Sequence, residues 1–415
     1  MELRGKCIKY ITYVFKWASI GILIGVFGGL IGTFFHISVD YVTTLRENNF
    51  WLIFFLPIGG LLIAAIYKMF VSKGNIDTQR VFQSVKEDKD VPIVMIPLIF
   101  IGTVITHMLG GSAGREGAAL QLGGSMGYNV AKALKQNGDS LKLIVTSGMS
   151  SVFSALFGTP LAATVFSLEV TKTRTLNFRG LLPGFVSSLV AVKISQFFGV
   201  APIRFDIPTV YEFHLDTILK VAILAILCAG VCIIFATSIH KTEFFMTKHI
   251  PNSYIRAFFG GLLIIVLTII AGTEDYNGAG MDVIKRAILG DAKYEAFILK
   301  IVFTAITIAA GFKGGEIVPT FFIGSTFGCM ASGFLGLNKS IGAPLGFVAL
   351  FAGMTKCPIA AFLLALEVFG IKGMLYFAIA VVVAYMLSGR FGLYENTNKM
   401  MLSRTNSGTP KLRKA

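Results

Sequence analysis

Two glycine-flanked glutamates are the residues of this sequence best suited to chemistry. Glu116 lies in the stretch GSAGREG at residues 111–117, and Glu316 lies in GFKGGEIVP at residues 311–319. The glycines let the backbone approach a small ligand, and an apolar segment that reads as a helix follows each stretch. A helix N-terminus, with its unpaired N–H groups and positive dipole end, favours a carboxylate and a small anion at the same place. We therefore predict that the Glu116 carboxylate and an anion compete for one site, which protonation of Glu116 releases.

Each glutamate also has a plainer interpretation. Glu116 could be a helix-capping acid paired with Arg115, and Glu316 could pair with Lys313 at the membrane interface. An ionisable residue in an apolar setting is by default functional, which favours function for Glu116 and leaves both interpretations of Glu316 open. Pro319, early in the next helix, marks a helix start. Two inverted helix N-termini aimed at one point would form a dehydrated anion site without a fixed positive side chain.

A second motif is repeated behind the first. PLAATVFSLE at residues 160–169 ends on Glu169, and PIAAFLLALE at residues 358–367 ends on Glu367, with identical spacing from proline to glutamate. One glycine-rich match would only indicate helices that pack closely through small residues. Two matched pairs at a nearly constant offset predict an internal duplication, the plan of transporters with broken helices that meet at the midplane. We expect Glu169 and Glu367 to cap loops or brace the repeat.

The composition is that of a membrane protein. Of 415 residues, 54% are hydrophobic, only 14% are charged and 45 are glycine, whereas charged residues make up about a quarter of soluble proteins. Apolar runs of about 20 residues predict about ten spans, a minimum because short half-helices would be merged or missed. The sequence therefore predicts an all-α polytopic membrane protein whose transmembrane helices include broken ones.

The charge distribution predicts the topology. The net charge is +15, and basic residues cluster at both ends of the chain, so we expect both termini in the cytoplasm of a plasma-membrane protein. We predict an amphipathic, interfacial helix over residues 1–18, membrane repeats over 19–206 and 207–395, and a basic tail over 396–415. No nucleic-acid-binding motif accompanies the positive charge, so nucleic acid is not an expected partner.

Enzymatic and metal-dependent functions are not expected. Neither glycine-rich loop has the Gly-Lys-Ser/Thr of a phosphate-binding loop or an alternating strand–helix context. The five cysteines lack metal-type clustering, and we predict free thiols, no metal and no cofactor. His107, alone near a helix end, is expected to pack or hydrogen-bond. Tyr394, near the end, is more often an interfacial aromatic but could offer its hydroxyl to a desolvated anion.

With these motifs in this order, the chain resembles the CLC family of anion channels and anion/proton antiporters over nearly its whole length. Residues 114–118, GREGA, are similar to the family motif GREGP; residues 315–319, GEIVP, resemble its second anion motif; residues 158–162 and Tyr394 fit a later helix and the pore tyrosine. The resemblance implies an inverted repeat of tilted and broken helices, a homodimer with one pore per subunit, and Glu116 as the external gate. The anion ligands that it implies are Gly114, Arg115, Gly117, Ala118, Ile317, Val318 and Tyr394.

Two departures from the family pattern bear on the transported ion. The motif GSGIP, whose serine holds chloride, is replaced by KGNIDT at residues 73–78, where Asn75 or Thr78 could take the place of the serine. Val170 stands where many chloride antiporters carry an internal proton glutamate. Both departures, and Glu316 itself, are similar to the fluoride/proton antiporter branch, in which Glu316 would serve as ligand and inner proton stop. The expected function is halide transport, fluoride before chloride, in exchange for protons; the alternative is a passive chloride channel.

Overall fold

The computed structural model of the protein describes residues 2–70, 78–87, 89–171, 177–207 and 214–394. Within these ranges there is no β-strand, and the extended segments form a single isolated bridge. The described α-helices are α1 (Glu2–Glu47), α2 (Leu56–Phe70), α3 (Thr78–Glu87), α4 (Met95–Met108), α5 (Glu116–Ala133), α6 (Gly138–Phe157), α7 (Pro160–Thr171), α8 (Leu181–Phe197), α9 (Leu215–His249), α10 (Ser253–Ala271), α11 (Met281–Ile288), α12 (Ala296–Ala310), α13 (Ile317–Phe334), α14 (Lys339–Thr355), α15 (Pro358–Phe369) and α16 (Met374–Leu387).

The helices differ widely in length, as the prediction of broken helices requires. Seven helical segments of the described chain are long and apolar enough to cross a membrane. Helices α7 and α15 have only 12 residues each, well short of the roughly 20 that a full crossing takes. The protein is therefore an all-α, multi-pass membrane protein built from full and partial spans.

Helices α1–α8 and α9–α16 have matching order and packing. Helices α5 and α13 have 18 residues each, and a long helix opens each set. In the first set α1 packs on α6 and α8; in the second, α9 packs on α14 and α16. The sets meet where α7 packs on α15, α2 on α10 and α5 on α13. The duplication seen in the sequence is thus a repeat of the three-dimensional arrangement.

The long apolar runs of the sequence split at backbone positions with positive φ. The run at 142–168 divides into α6 and α7 at Gly158, whose φ is 69°. The run at 343–370 divides into α14 and α15 at Lys356, whose φ is 60°. A proline follows each break at or near the first helical position, where its missing N–H costs no hydrogen bond.

Glycines set the distance between the most buried helices. An added Cβ at Gly123 on α5 would lie 2.2 Å from the carbonyl oxygen of Gly148 on α6. In the second set, a Cβ at Gly324 on α13 would lie 2.4 Å from the carbonyl oxygen of Gly346 on α14. Close packing through small residues is therefore present as well as the duplication, and it holds α5 and α13 in the centre.

The predicted domain boundaries fall near residues 18, 206 and 396, and the structure describes part of the chain around them. The interfacial helix predicted over 1–18 has no break after it, because residues 2–18 belong to the continuous helix α1. Described residues stop at 207 and resume at 214 around the predicted junction of the repeats. The predicted tail, 396–415, lies outside the described residues.

Candidate functional site

The two glycine-flanked motifs meet inside the protein. The Gly114 N–H donates to the Gly315 carbonyl at 2.7 Å, and the Gly315 N–H donates to the Gly114 carbonyl at 2.6 Å. This is the isolated antiparallel bridge. Helix α5 begins two residues after Gly114, and α13 begins two residues after Gly315. The starts of two helices, with the unpaired N–H groups of their first turns, therefore converge on one small region.

Glycine is required where the motifs touch. An added Cβ at Gly315 would lie 2.4 Å from the Gly117 nitrogen, and one at Gly117 would lie 2.7 Å from the Gly315 Cα. At Gly114 the added atom would lie 2.9 Å from both Glu116 Oε2 and Val318 Cβ. A side chain at any of these positions would push the two helix starts apart.

Two threonines that the sequence analysis did not single out cross-link the motif loops. The Ser112 N–H donates to Thr307 Oγ1 on α12 at 3.1 Å, and the Lys313 N–H donates to Thr106 Oγ1 on α4 at 3.1 Å. Each hydroxyl also donates to the carbonyl four residues earlier in its own helix, which fixes its orientation. Each loop is therefore held by a helix of the other repeat. Thr106 and Thr307 are separated by about 200 residues, as the repeated motifs are. The internal repeat could therefore have identified this pair from the sequence.

Glu116 is the first residue of α5 and only 1% exposed. Its Oε2 accepts the Arg115 N–H at 2.9 Å, and its Oε1 lies 3.5 Å from Arg115 Nε. The carboxylate therefore folds back on the start of its own helix, where the predicted anion would bind. The pairing with Arg115 that the plainer interpretation predicted is therefore present.

Glu316 occupies the matching place in the second repeat as the N-cap of α13. Its carbonyl accepts the Thr320 N–H at 3.0 Å and the Thr320 hydroxyl at 2.8 Å, and it is half-buried, unlike Glu116. Lys313 places its Nζ 4.3 Å from the centre of the Tyr67 ring. The second glutamate is therefore the more accessible of the two.

Tyr394, the predicted pore tyrosine, packs against α3. Its ring meets Phe82 of α3 edge-to-face, with 5.0 Å between centroids. Its hydroxyl is buried and has no hydrogen-bond partner among the described residues. A buried hydroxyl without a partner is a donor available to a desolvated anion.

The remaining predicted ligands lie around the same point. They are buried in the first turn of α5 or of α13, or at the N-cap of α5: Arg115, Gly117, Ala118, Ile317 and Val318. Asn75 lies outside the described residues. The N–H groups of the two helix starts, together with Glu116 and Glu316, therefore lie in one region. Such a set can hold a small anion and can carry a proton.

A buried cationic cluster that was not predicted supports the first motif loop. Lys300 Nζ donates to the carbonyls of Gly278 at 2.7 Å and Tyr276 at 3.1 Å. Arg46 packs against Gly278 and pairs with Glu274, 3.2 Å between Nε and Oε2. The Gly278 N–H then donates to the Gly111 carbonyl at 3.1 Å. Burial raises the pKa of Glu274, and Arg46 acts in the opposite direction.

Glu169 and Glu367 join the two repeats. Glu169, on α7, accepts the N–H groups of Ile359 at 3.4 Å and Ala360 at 2.7 Å, in the first turn of α15. Glu367, on α15, accepts the N–H groups of Leu161 at 3.1 Å and Ala162 at 2.8 Å, in the first turn of α7. Each glutamate thus caps the other repeat's helix, the structural role expected of them.

His107 and the cysteines have no cofactor geometry. His107 is buried, and its Nδ1 lies 2.9 Å from the Thr103 carbonyl. Cys228, Cys232, Cys329 and Cys357 are buried free thiols. Within the part of the chain that the structure covers, no group of His, Cys, Asp and Glu could hold a metal ion.

Comparisons with known proteins agree with this geometry. A "Chloride/fluoride channel protein" of Pseudomonas syringae pv. tomato is 32% identical over 94% of this chain and 88% of its own length. An "H(+)/Cl(-) exchange transporter" of Yersinia pestis bv. Antiqua is 24% identical over 66% of this chain and 60% of its own length.

Solved structures match over almost the entire chain. A CLC-type fluoride/proton antiporter superposes with a TM-score of 0.88 at 30% identity, covering 92% of this chain and 97% of its own. A slow cyanobacterial Cl−/H+ antiporter superposes with a TM-score of 0.80 at 19% identity, covering 95% and 98%, and supports the fold alone. Residues 59–389 match the family described as voltage gated chloride channel. The protein is therefore an anion transporter of the voltage-gated chloride channel (CLC) family.

Proposed function

We propose that this transporter moves fluoride, in preference to chloride, across the membrane in exchange for protons. The observation that carries the proposal is the convergence of α5 and α13 at the Gly114–Gly315 bridge, with the buried Glu116 carboxylate on the first turn of α5. The similar proteins add support, since one is named a chloride/fluoride channel protein and one solved structure a fluoride/proton antiporter.

Glu116 is the gate in this proposal. As a carboxylate it occupies the N–H groups that an anion needs, because both are negative and both are favoured by the helix start. As a neutral acid it leaves the site, and the anion takes its place. Anion and proton then pass the same residue in alternation, which couples their opposite movements.

Glu316 acts in this proposal as the inner proton-binding site and as a ligand of the anion. Fluoride is small and strongly hydrated, so a site that removes its water needs many donors, and a protonated Glu316 carboxyl adds one beside the Tyr394 hydroxyl. Val170 on α7 cannot carry a proton, which leaves this task to Glu316. If Glu316→Gln retained proton-coupled flux, Glu316 would have neither role.

Ion flux from liposomes tests the proposal directly. Purified protein is reconstituted, the liposomes are loaded with fluoride or chloride, and anion efflux and internal pH are recorded in the same run. We expect fluoride efflux with proton uptake against its gradient, and loss of this coupling in Glu116→Gln. Glu295→Gln, an exposed acid at the start of α12, is the matched control and should behave as wild type. Coupled exchange that persists in Glu116→Gln would contradict the assignment of the gate.

A passive channel is the second candidate, and the name of the similar Pseudomonas protein favours it. The same two helix starts and the same glutamate serve a channel, because channel and antiporter differ by the barriers along the pore. In the liposome experiment, fast chloride efflux with no change in internal pH would establish the channel. Fluoride efflux locked to proton movement would exclude it.

The proposal extends to assembly and location. We propose a homodimer with one pore per subunit, in the inner (plasma) membrane of a bacterium and with both termini in the cytoplasm, as the resemblance and the basic ends of the chain imply. We propose a transporter without cofactor or enzymatic activity. Light scattering of the detergent-solubilised protein would give the subunit count. A labelling reagent that reaches an added terminal tag in intact cells would refute the orientation.

A further inference from the structure

A groove remains on the outside of the first repeat, away from the pore. It lies between α1 and α8 and has a volume of about 470 Å³. Its wall contains seven apolar residues and one cation; Val26 and Leu30 come from α1, and Leu189, Lys193 and Phe197 come from α8. Val26, Leu189 and Phe197 are 38%, 39% and 85% exposed. The groove therefore opens to the surroundings of the protein.

The groove has a fixed shape because the two helices that form it touch through their backbones. Gly21, Gly25 and Gly29 recur every four residues on α1 and face α8. An added Cβ at Gly25 would lie 2.7 Å from the Ser187 carbonyl oxygen, and one at Gly29 would lie 2.9 Å from the Ala191 Cα. Contacts of this kind fix the distance between the helices. The residues on either side of these glycines therefore form the walls of a groove of constant shape.

The size and lining of the groove suit a hydrocarbon chain. Both α1 and α8 belong to candidate membrane spans, so the open side of the groove faces the lipid phase or another protein there. A dry apolar cavity of about 150 Å³ accommodates benzene, a molecule of six carbons. In proportion, the groove has room for on the order of 18 carbons, which is one fatty acyl chain.

Lys193 adds a charge that needs a partner. It is exposed, and among the described residues no hydrogen bond or ion pair of its ammonium group exists. A cation on a membrane span is costly unless it reaches the interface or meets an anion. Lys193 lies four residues before the end of α8, or about 6 Å along the axis, within reach of its extended side chain. At that depth the available anion is the phosphate of a membrane lipid.

We propose that the α1–α8 groove binds one glycerophospholipid, with an acyl chain along Val26, Leu30 and Leu189 and the phosphate against Lys193. A second copy of this chain is a less suitable occupant. A twofold contact places the same patch of both subunits together, so Lys193 would face Lys193 near its centre without an acidic partner. The phosphodiester is common to anionic and zwitterionic phospholipids, and the experiment separates the two sources.

Two variants test the groove and the charge separately. Val26→Trp fills the apolar groove from its open edge, and Lys193→Gln removes the cation. Ile226→Trp and Lys372→Gln are matched controls, since Ile226 is a 50% exposed position on α9 and Lys372 is an exposed lysine outside α8. The full chain is purified from lipid-containing membranes and washed extensively with detergent. The phospholipid retained per chain is then measured by native mass spectrometry, together with subunit number.

The proposal predicts one tightly held phospholipid per wild-type chain and per control chain. Val26→Trp should reduce its occupancy at least tenfold, and Lys193→Gln should loosen it several-fold. On re-addition, phosphatidylglycerol and phosphatidylethanolamine should both outcompete diacylglycerol in wild type but not in Lys193→Gln; a preference for phosphatidylglycerol alone would identify the anionic lipids as the source. Equal retention in both variants and controls would overturn the proposal. If Val26→Trp changed the subunit number but left the bound lipid unchanged, the proposal would also be overturned, and a second copy of this chain would be the occupant of the groove.

Discussion

Replacing Gly315 with alanine probes the contact on which the whole site depends. The added Cβ would lie 2.4 Å from the Gly117 nitrogen and 2.6 Å from its Cα. Ordinary contact begins at 3.4 Å, so the two helix starts must separate by about 1 Å, given that close-packed interiors do not absorb extra volume without strain. Backbone, not a flexible side chain, faces the new atom. The site therefore cannot adapt by a rotamer change.

The cost follows from the bridge that this separation breaks. Its two hydrogen bonds, 2.7 and 2.6 Å long, would lengthen beyond the usual limit of about 3.2 Å. Each contributes on the order of 1 kcal/mol, so we expect Gly315→Ala to be destabilised by about 2 kcal/mol. Misplacement by about 1 Å lowers the rate of a process that needs exact geometry by on the order of 100-fold. We expect anion flux to fall by that order.

Two assays measure these effects side by side. Thermal unfolding in detergent reports stability, and anion efflux from liposomes, counted per folded protein that elutes as a single species, reports transport. Gly230→Ala is the control, because Gly230 is exposed on α9 and an added Cβ there meets nothing within 4 Å. It should gain up to about 1 kcal/mol from helix propensity. Wild-type flux and an unchanged unfolding midpoint in Gly315→Ala would refute the reasoning.

Two further pairs of variants test the contacts between the repeats. Glu169→Gln should cost about 2 kcal/mol and Glu367→Gln about 1 kcal/mol, because each weakens charge-assisted bonds to a helix start and Glu169 is the more buried of the two. Thermal midpoints no lower than that of Glu295→Gln would count against these caps. Thr106→Val and Thr307→Val each leave one loop N–H without its acceptor, at a cost of about 1–3 kcal/mol. Hydrogen exchange of residues 109–115 or 311–316 should then accelerate by roughly 10- to 100-fold; exchange at the wild-type rate would exclude a positioning role.

Helices and helix starts were largely predictable, because their signals are local. The apolar runs predicted membrane-spanning helices, and the glycine and proline punctuation predicted helix starts near Glu116 and Glu316. The division of the run at 343–370 was harder to place, because it occurs at Lys356, a residue type that rarely adopts positive φ. The predicted role of Asn75 lies outside the described residues and stays a prediction.

The buried cations were not predicted. Lys300 stands in an apolar run, and a charge in such a run is itself a signal. Its hydrogen-bond acceptors are the carbonyls of Tyr276 and Gly278, which lie more than 20 residues away. The sequence around Lys300 contains no signal that identifies them. Carbonyl acceptors exist at every residue, so residue type cannot identify them.

The sequence by itself determined that this protein is a duplicated, all-helical membrane protein with a glutamate at the start of a helix in each half. These properties follow from periodicity, composition and repeated motifs, which are readable along the chain. Only the tertiary structure decided that Gly114 pairs with Gly315, that Thr307 holds the loop of Ser112, and that Glu169 and Glu367 exchange helix caps. Each of these contacts joins residues about 200 positions apart. Backbone N–H groups look alike in every sequence, so their partners are chosen by how the two repeats pack.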